Sequence, residues 1–301
     1  MKKLLALMLV LMITFACPVF AEQVKVMTSF YPIHIFALNV FNGIDDISVE
    51  CMTAPQTGCL HDYQLIVSDM MKLAKSSLFV VCGAGMEMYL EDVKSQFPQL
   101  PVIDTSSELT LLENCSDDEE VKHTEHHDHD HSVNAHAWLS VENAIQIVDT
   151  IANAGMEYFP VHAQAIAANT DAYKERLLLL KGDIDQLLSG LAGKKAITFH
   201  EAFSYIADDN GLDIAAVIMH EEAEALSPAQ IAETVRYILD NGTPPLFADL
   251  QSASAAAVYA VAQETGAKVY AIDPIVTGEV SLTAYEDGMR KNAQTIADAF
   301  E

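Results

Sequence analysis

Five of the chain's eleven histidines fall within nine residues: His123, His126, His127, His129 and His131 in His123-Thr124-Glu125-His126-His127-Asp128-His129-Asp130-His131. The acidic run Asp117-Asp118-Glu119-Glu120 lies just upstream. Neutral imidazoles interleaved with carboxylates suit borderline divalent cations. Nothing in this stretch can join a core, so the sequence predicts a solvated loop. Such a loop loses conformational entropy when it encloses an ion, which makes it an accessory binder weaker than a preformed pocket. The plain alternative is a polar surface loop with no ligand.

A quieter set of residues makes a better pocket. His61 follows a predicted strand and precedes a helix, in Gly58-Cys59-Leu60-His61-Asp62-Tyr63. His136, in Asn134-Ala135-His136-Ala137-Trp138-Leu139-Ser140, stands just ahead of another helix. His200 follows the predicted strand 195–199 directly, and Asp273 follows strand 269–271 and precedes Pro274. Open α/β sheets bind ligands outside the carboxyl ends of their strands, where all four residues fall. Three imidazoles and one carboxylate are a tetrahedral zinc donor set. Imidazole ligands bind as the neutral ring, so affinity is expected to fall below a pH of about 6.5.

The remaining candidates read differently. His34 falls in the first helix and reads as structural, and His162 reads as an exposed residue of a long connecting helix. His220, beside Glu221, Glu222 and Glu224, reads as part of a solvated acidic loop, with a ligand role as the alternative. Beyond the leader, Cys51, Cys59, Cys82 and Cys115 form an even set that permits disulfides in an exported chain. Cys51 and Cys59 are near enough in sequence to staple one loop. Cys82, behind the apolar run 78–81, reads as a buried thiol. Without a Cys-x-x-Cys pair, a cysteine zinc site is not expected.

The elements that must hold these residues alternate in type. Strands are predicted at 24–27, 47–51, 78–81 and 101–104, with helices around 31–42, 64–75 and 86–96. The rhythm returns with strands at 195–199, 214–218, 246–248 and 269–271 and helices near 201–209, 228–240 and 253–265. Such alternation implies parallel sheets covered by helices. Ser227-Pro228-Ala229-Gln230 reads as a capped helix start. Between the halves, Val141–Tyr158 reads as one helix, Pro160 as a break, and 161–191 as a proline-free helix roughly 45 Å long. The expected architecture is α/β: two parallel-sheet βα lobes joined by a long rigid helix. The predicted boundaries are a leader at 1–21, a first lobe at 22–158 carrying the acidic His-rich loop 117–131, the connecting helix at 159–191 and a second lobe at 192–301.

Of 301 residues, 51% are hydrophobic, enough for one large or two medium cores. Forty-three acids against 16 bases give a net charge of −27, which argues against nucleic acid and anionic lipid as partners. Lys2, Lys3 and the apolar run Leu4–Phe15 read as a secretory signal, with Val19-Phe20-Ala21 as the cleavage site. Cys17 keeps a lipoprotein signal open as the alternative. No later stretch reaches about 18 uncharged apolar residues, so no spanning helix is expected beyond the leader.

Several segments in order resemble the zinc-type solute-binding proteins of bacterial ABC importers, the ZnuA/TroA-like family. Thr28-Ser29-Phe30-Tyr31-Pro32 resembles the family's opening strand motif, and Gly58 to Tyr63, with Ser68-Asp69 beyond, its first ligand loop. Gly83-Ala84-Gly85-Met86-Glu87 resembles the turn after its third strand. Asn134 to Ser140 resembles the Asp-Pro-His-x-Trp-Leu second ligand segment, Phe199 to Tyr205 the third, and Asp273-Pro274 the fourth. The resemblance implies two lobes around one ion, ligand roles for His61, His136, His200 and Asp273, and a His-rich insertion at 123–131. It also implies a monomer in the periplasm or on the cell surface, delivering Zn2+ to a membrane permease with its ATPase. Manganese-type relatives usually carry Glu where His200 stands, and an imidazole-rich site suits zinc. The departures are Leu60 for the usual Pro, Asn134-Ala135 for the usual Asp-Pro, Asp249 where relatives often carry Glu, and Cys59 two residues before His61.

Three other readings are kept as alternatives: an importer component for manganese or another divalent metal, a metal-buffering or adhesive surface protein, and an exported zinc hydrolase. The hydrolase lacks both a His-Glu-x-x-His helix and a Gly-x-Ser-x-Gly elbow.

Overall fold

The structure is a computed structural model that describes residues 23–53, 63–113, 133–218, 226–242, 244–249 and 255–301. The leader, His61 with Cys59 and Leu60, the His-rich loop with Cys115, and His220 lie outside the described residues.

The first lobe runs β1 (Val24–Thr28), α1 (Tyr31–Val40), β2 (Ile47–Cys51), α2 (Val67–Leu73), β3 (Leu78–Val81), α3 (Leu90–Gln96) and β4 (Val102–Asp104). Its sheet is ordered β2-β1-β3-β4 and every pairing is parallel, from Val24 opposite Ile47 to Val81 opposite Asp104. A 3-10 turn at Ala137–Leu139 leads into α4 (Val141–Tyr158), and a second at Pro160–His162 into α5 (Ala163–Leu187). The second lobe runs β5 (Lys195–Thr198), a 3-10 turn at Glu201–Phe203, α6 (Ser204–Asp209), β6 (Asp213–Val217), α7 (Pro228–Asn241), β7 (Leu246–Ala248), α8 (Ala255–Thr265), β8 (Val269–Ala271) and α9 (Ala284–Ala299). Its sheet is ordered β6-β5-β7-β8, again all parallel, so the two lobes share one topology. In each, the order reverses between the first strand and the third, and loops from the two sides diverge there to leave a crevice.

The sequence explains the local choices. β3 is Leu-Phe-Val-Val, buried at every position, as a strand covered on both faces must be. α7 starts where Ser227 accepts from the Gln230 amide and Gln230 Oε1 accepts from the Ser227 amide, the reciprocal cap read from the sequence. The connecting helix α5 turns Ile166, Tyr173, Leu177, Leu180 and Ile184 inward, one stripe at helical spacing. Each such apolar side chain contributes about 1.5–3 kcal/mol on burial. The stripe joins a core that contains Val26 and Leu78 of the first sheet together with Phe247 and Tyr285 of the second lobe, so the lobes share one apolar body.

Three details differ from expectation. α5 has 25 residues, about 37 Å, because the Pro160 turn starts it later and Gly190 follows it. His162 lies in that turn rather than on the helix, and its side chain is 18% exposed near Asp46. The last helix, α9, was not anticipated. His34 is structural as expected, buried with Nδ1 3.2 Å from Thr28 Oγ1, and burial lowers its pKa to about 4. Cys82 is a buried free thiol, and Cys51 is free and half-buried. No helix among the described residues is long and apolar enough to cross a membrane.

Candidate metal centre

His136 and His200 meet where the lobes join. Their ring centroids are 4.8 Å apart at 87°, and their exposures are 3% and 6%. Two imidazoles sharing one tetrahedral ion would place their centroids about 5 Å apart, so the pair has the spacing of a metal edge. Among the described residues no group of three or more His, Cys, Asp or Glu side chains forms a complete ion site.

The two rings are held in opposite ways. Asn134 Oδ1 accepts from the His136 backbone N–H and stands 3.0 Å from its Nδ1. An amide oxygen can only accept, so Nδ1 carries the proton and Nε2 offers its lone pair. Trp138 packs on the same ring at a centroid distance of 5.1 Å and meets Phe30 edge-on at 5.3 Å. His200 caps the turn after β5: its Nδ1 accepts from the Ala202 N–H at 3.2 Å, and Thr198 Oγ1 donates to its carbonyl at 2.8 Å. With Nδ1 accepting, the proton of a neutral His200 ring sits on Nε2. Presenting Nε2 to an ion therefore requires moving that proton and giving up the Ala202 contact.

Asp273 stands on a loop fixed from two sides. Asn292 of α9 takes the Asp273 N–H at 2.9 Å and donates to its carbonyl at 2.7 Å. Asp273 Oδ1 accepts from the Ile275 N–H at 2.8 Å, closing a tight turn. Ile275 adopts φ +57°, which a β-branched residue takes up only under strain. A Cβ on Gly288 would lie 2.9 Å from Ile275 Cδ1, so glycine there lets α9 approach the loop. The charge of Asp273 helps raise the pKa of Tyr31, after burial as the larger cause, which puts the carboxylate within electrostatic reach of the first lobe.

Polar contacts tie these segments across the lobes. Trp138 Nε1 donates to the Pro274 carbonyl at 2.8 Å, and Tyr285 Oη donates to the Trp138 carbonyl at 2.7 Å. Asn134 Nδ2 donates to the Glu201 carbonyl at 2.8 Å, and Tyr205 Oη donates to the Asn134 carbonyl at 2.7 Å. Nearby, Glu87 accepts from the Cys82 and Gly83 amides, while burial pushes its pKa up to about 7. Asp249 is buried just past β7.

The structure thus brings His136 and His200 together and sets Asp273 on a loop bonded to the His136 segment through Trp138, while His61 and the five loop histidines lie outside the described residues. Sequence reading missed the positioning roles of Asn134, Asn292 and Tyr205. Only the Asn-x-His spacing at 134–136 signals one of them, since Asn side chains bond backbone amides two residues on.

A two-lobed α/β fold with donor side chains gathered between the lobes defines a class, the metal-binding solute receptors. The chain belongs to the family described as "Zinc-uptake complex component A periplasmic", which it matches over residues 26–299. It is 29% identical over 321 residues to "Zinc-binding protein AdcA" of Streptococcus pyogenes, covering 98% of this chain and 61% of that protein. It is 26% identical over 286 residues to "Iron-binding protein YfeA" of Yersinia pestis, covering 93% of this chain and 87% of the relative. The solute-binding protein FpvC of Pseudomonas aeruginosa, solved with Mn2+, superposes with a TM-score of 0.79 at 23% identity, covering 92% of this chain and 98% of that one. This chain spans 61% of the length of the AdcA relative it matches.

Proposed function

We propose that the chain is the extracytoplasmic receptor of an ABC importer, that its cargo is Zn2+, and that it works by capture and release without a chemical reaction. The observation that carries this reading is the buried, perpendicular His136–His200 pair at the lobe junction. Two neighbouring imidazoles favour zinc over the oxygen-liganded ions. His61 and Asp273 complete the donor set: His61 from the first-lobe segment ahead of α2, and Asp273 through the carboxylate oxygen left beyond the Ile275 turn. His136 is already in the tautomer that binds through Nε2, and His200 must exchange its proton on loading.

The matched family and the relatives named for zinc and iron support metal capture, and the donor set supports zinc among those metals. The domains are a first lobe at 22–158, a connecting helix at 159–191 and a second lobe at 192–301, a division that the two separate parallel sheets support. The leader places the protein in the periplasm or on the cell surface. His123, His126, His127, His129 and His131 form an accessory collector of the ion. The loaded form delivers its ion to a membrane permease with its ATPase. Isothermal titration tests the assignment: the His61→Ala, His200→Ala double variant should lose the tight zinc event, and unchanged affinity would overturn it.

A further inference from the structure

We infer that Asn134 is a positioning residue that fixes the tautomer of His136, and that the second lobe braces the far end of its amide. The inference rests on the metal reading above and deepens it. The Asn134 side chain has two ends and both are committed. Its Nδ2 donates to the Glu201 carbonyl, on the turn that follows His200, at 2.8 Å. Its Oδ1 therefore faces the first lobe, where it meets both the backbone N–H and Nδ1 of His136 at 3.0 Å. Turning the amide over would set an N–H2 group against the His136 N–H and a carbonyl oxygen against the Glu201 carbonyl, a doubly repulsive arrangement. The His136 N–H and the Glu201 carbonyl together fix which end of the amide the His136 ring meets, and that end decides which ring nitrogen holds the proton. Asn134 is 1% exposed, so water does not take over either role.

The consequence for metal binding is specific. An unconstrained imidazole prefers its proton on Nε2, the wrong nitrogen for a ligand that binds through Nε2. Asn134 reverses this preference before the ion arrives, through a contact within its own segment that the second lobe braces. A carboxylate at this position would hold the Nδ1 proton without help from the second lobe, but it would face the Glu201 carbonyl with no donor. The amide satisfies both the His136 ring and the Glu201 carbonyl, which a carboxylate cannot do.

The test uses the full mature chain, metal-free and labelled with 15N-histidine, at pH 8. Long-range 1H–15N spectra report the His136 tautomer, with its signals assigned by their loss in His136→Gln. Zinc affinity is read by competition with a chromogenic chelator. The wild type is expected to show Nδ1–H. Asn134→Ala is expected to shift His136 toward Nε2–H and to weaken zinc by about 10–100-fold, the usual effect of removing a ligand's hydrogen-bond partner. Asn134→Asp is expected to keep Nδ1–H and to bind zinc at least as tightly as the wild type. A wild-type ring already protonated on Nε2 overturns the inference. So does weaker zinc binding in Asn134→Ala with the tautomer unchanged, which would mean only a loosened loop. If Asn134→Ala does not fold, Asn134→Asp decides alone, and loss of Nδ1–H there overturns the inference. A wild type that shows Nδ1–H yet binds no zinc refutes the proposed function and leaves the tautomer assignment standing.

Discussion

Trp138→Phe removes the contact that joins the His136 and Asp273 segments while keeping an aromatic ring in place. Trp138 is fully buried, and its Nε1–H donates to the Pro274 carbonyl at 2.8 Å. Phenylalanine leaves that carbonyl without this donor in a buried setting, a loss of about 1–3 kcal/mol. It also removes the five-membered half of the indole from a packed site against Phe30 and His136, adding about 1 kcal/mol for the void. The sum is about 2–4 kcal/mol. At about 2–4 °C per kcal/mol for a domain of 150–250 residues, the midpoint should fall by about 4–16 °C. The assay is thermal unfolding followed by circular dichroism with a chelator present, so that bound metal does not mask the change. The variant should keep its far-ultraviolet spectrum at 20 °C. A midpoint within about 1 °C of the wild type would refute the claim that this indole bonds the lobes together.

Asn292→Ala removes both hydrogen bonds that hold the Asp273 backbone, and should weaken zinc binding by about 10-fold or more in chelator competition without emptying the site. Unchanged affinity would show that the Asp273 loop needs no clamp, or that Asp273 is not a ligand. His34 and Glu87 should act on stability in opposite directions across one pH window. Burial lowers His34 to about 4, so the unfolded state binds the extra proton between pH 4 and about 6.5, and this stability is lost as pH falls. Burial raises Glu87 to about 7, so the folded state binds the extra proton between about pH 4.3 and 7, and this stability is lost as pH rises. His34→Gln should therefore show a stability deficit against the wild type that grows from pH 4 to 6.5, by on the order of 3 kcal/mol, in chelated denaturant titrations. A deficit independent of pH would contradict the buried neutral ring.

Much of this fold was legible because its strands are short apolar runs with distinct ends. Ile47–Cys51, Leu78–Val81, Leu246–Ala248 and Val269–Ala271 stand where the sequence put them. The parallel arrangement followed from the alternation with helices. α9 was missed because its buried face is not uniformly apolar: Glu286 and Asn292 sit inward beside Tyr285, Met289 and Ile296. Glu286 is there because Arg176 of α5 reaches it at 3.0 Å, a partner far away in sequence. His162 was misplaced by one turn because Pro160 starts a 3-10 segment of its own before the long helix. At the site, the residue types and their positions after strands were readable, and His136 and His200 do meet. The bond of Asn134 to Glu201 and the roles of Trp138 and Asn292 were not readable, since each depends on a backbone group of another segment that only the folded chain brings near.

The central claim is that one zinc ion sits between the lobes on His61, His136, His200 and Asp273, separate from the histidine loop. Crystals of the zinc-loaded mature chain measured on both sides of the zinc absorption edge test it most directly. The account predicts one strong anomalous peak about 2.0–2.1 Å from a nitrogen of each of the three histidines and about 2.0–2.2 Å from an Asp273 oxygen. A strong peak only at residues 123–131, or none between His136 and His200, would contradict it.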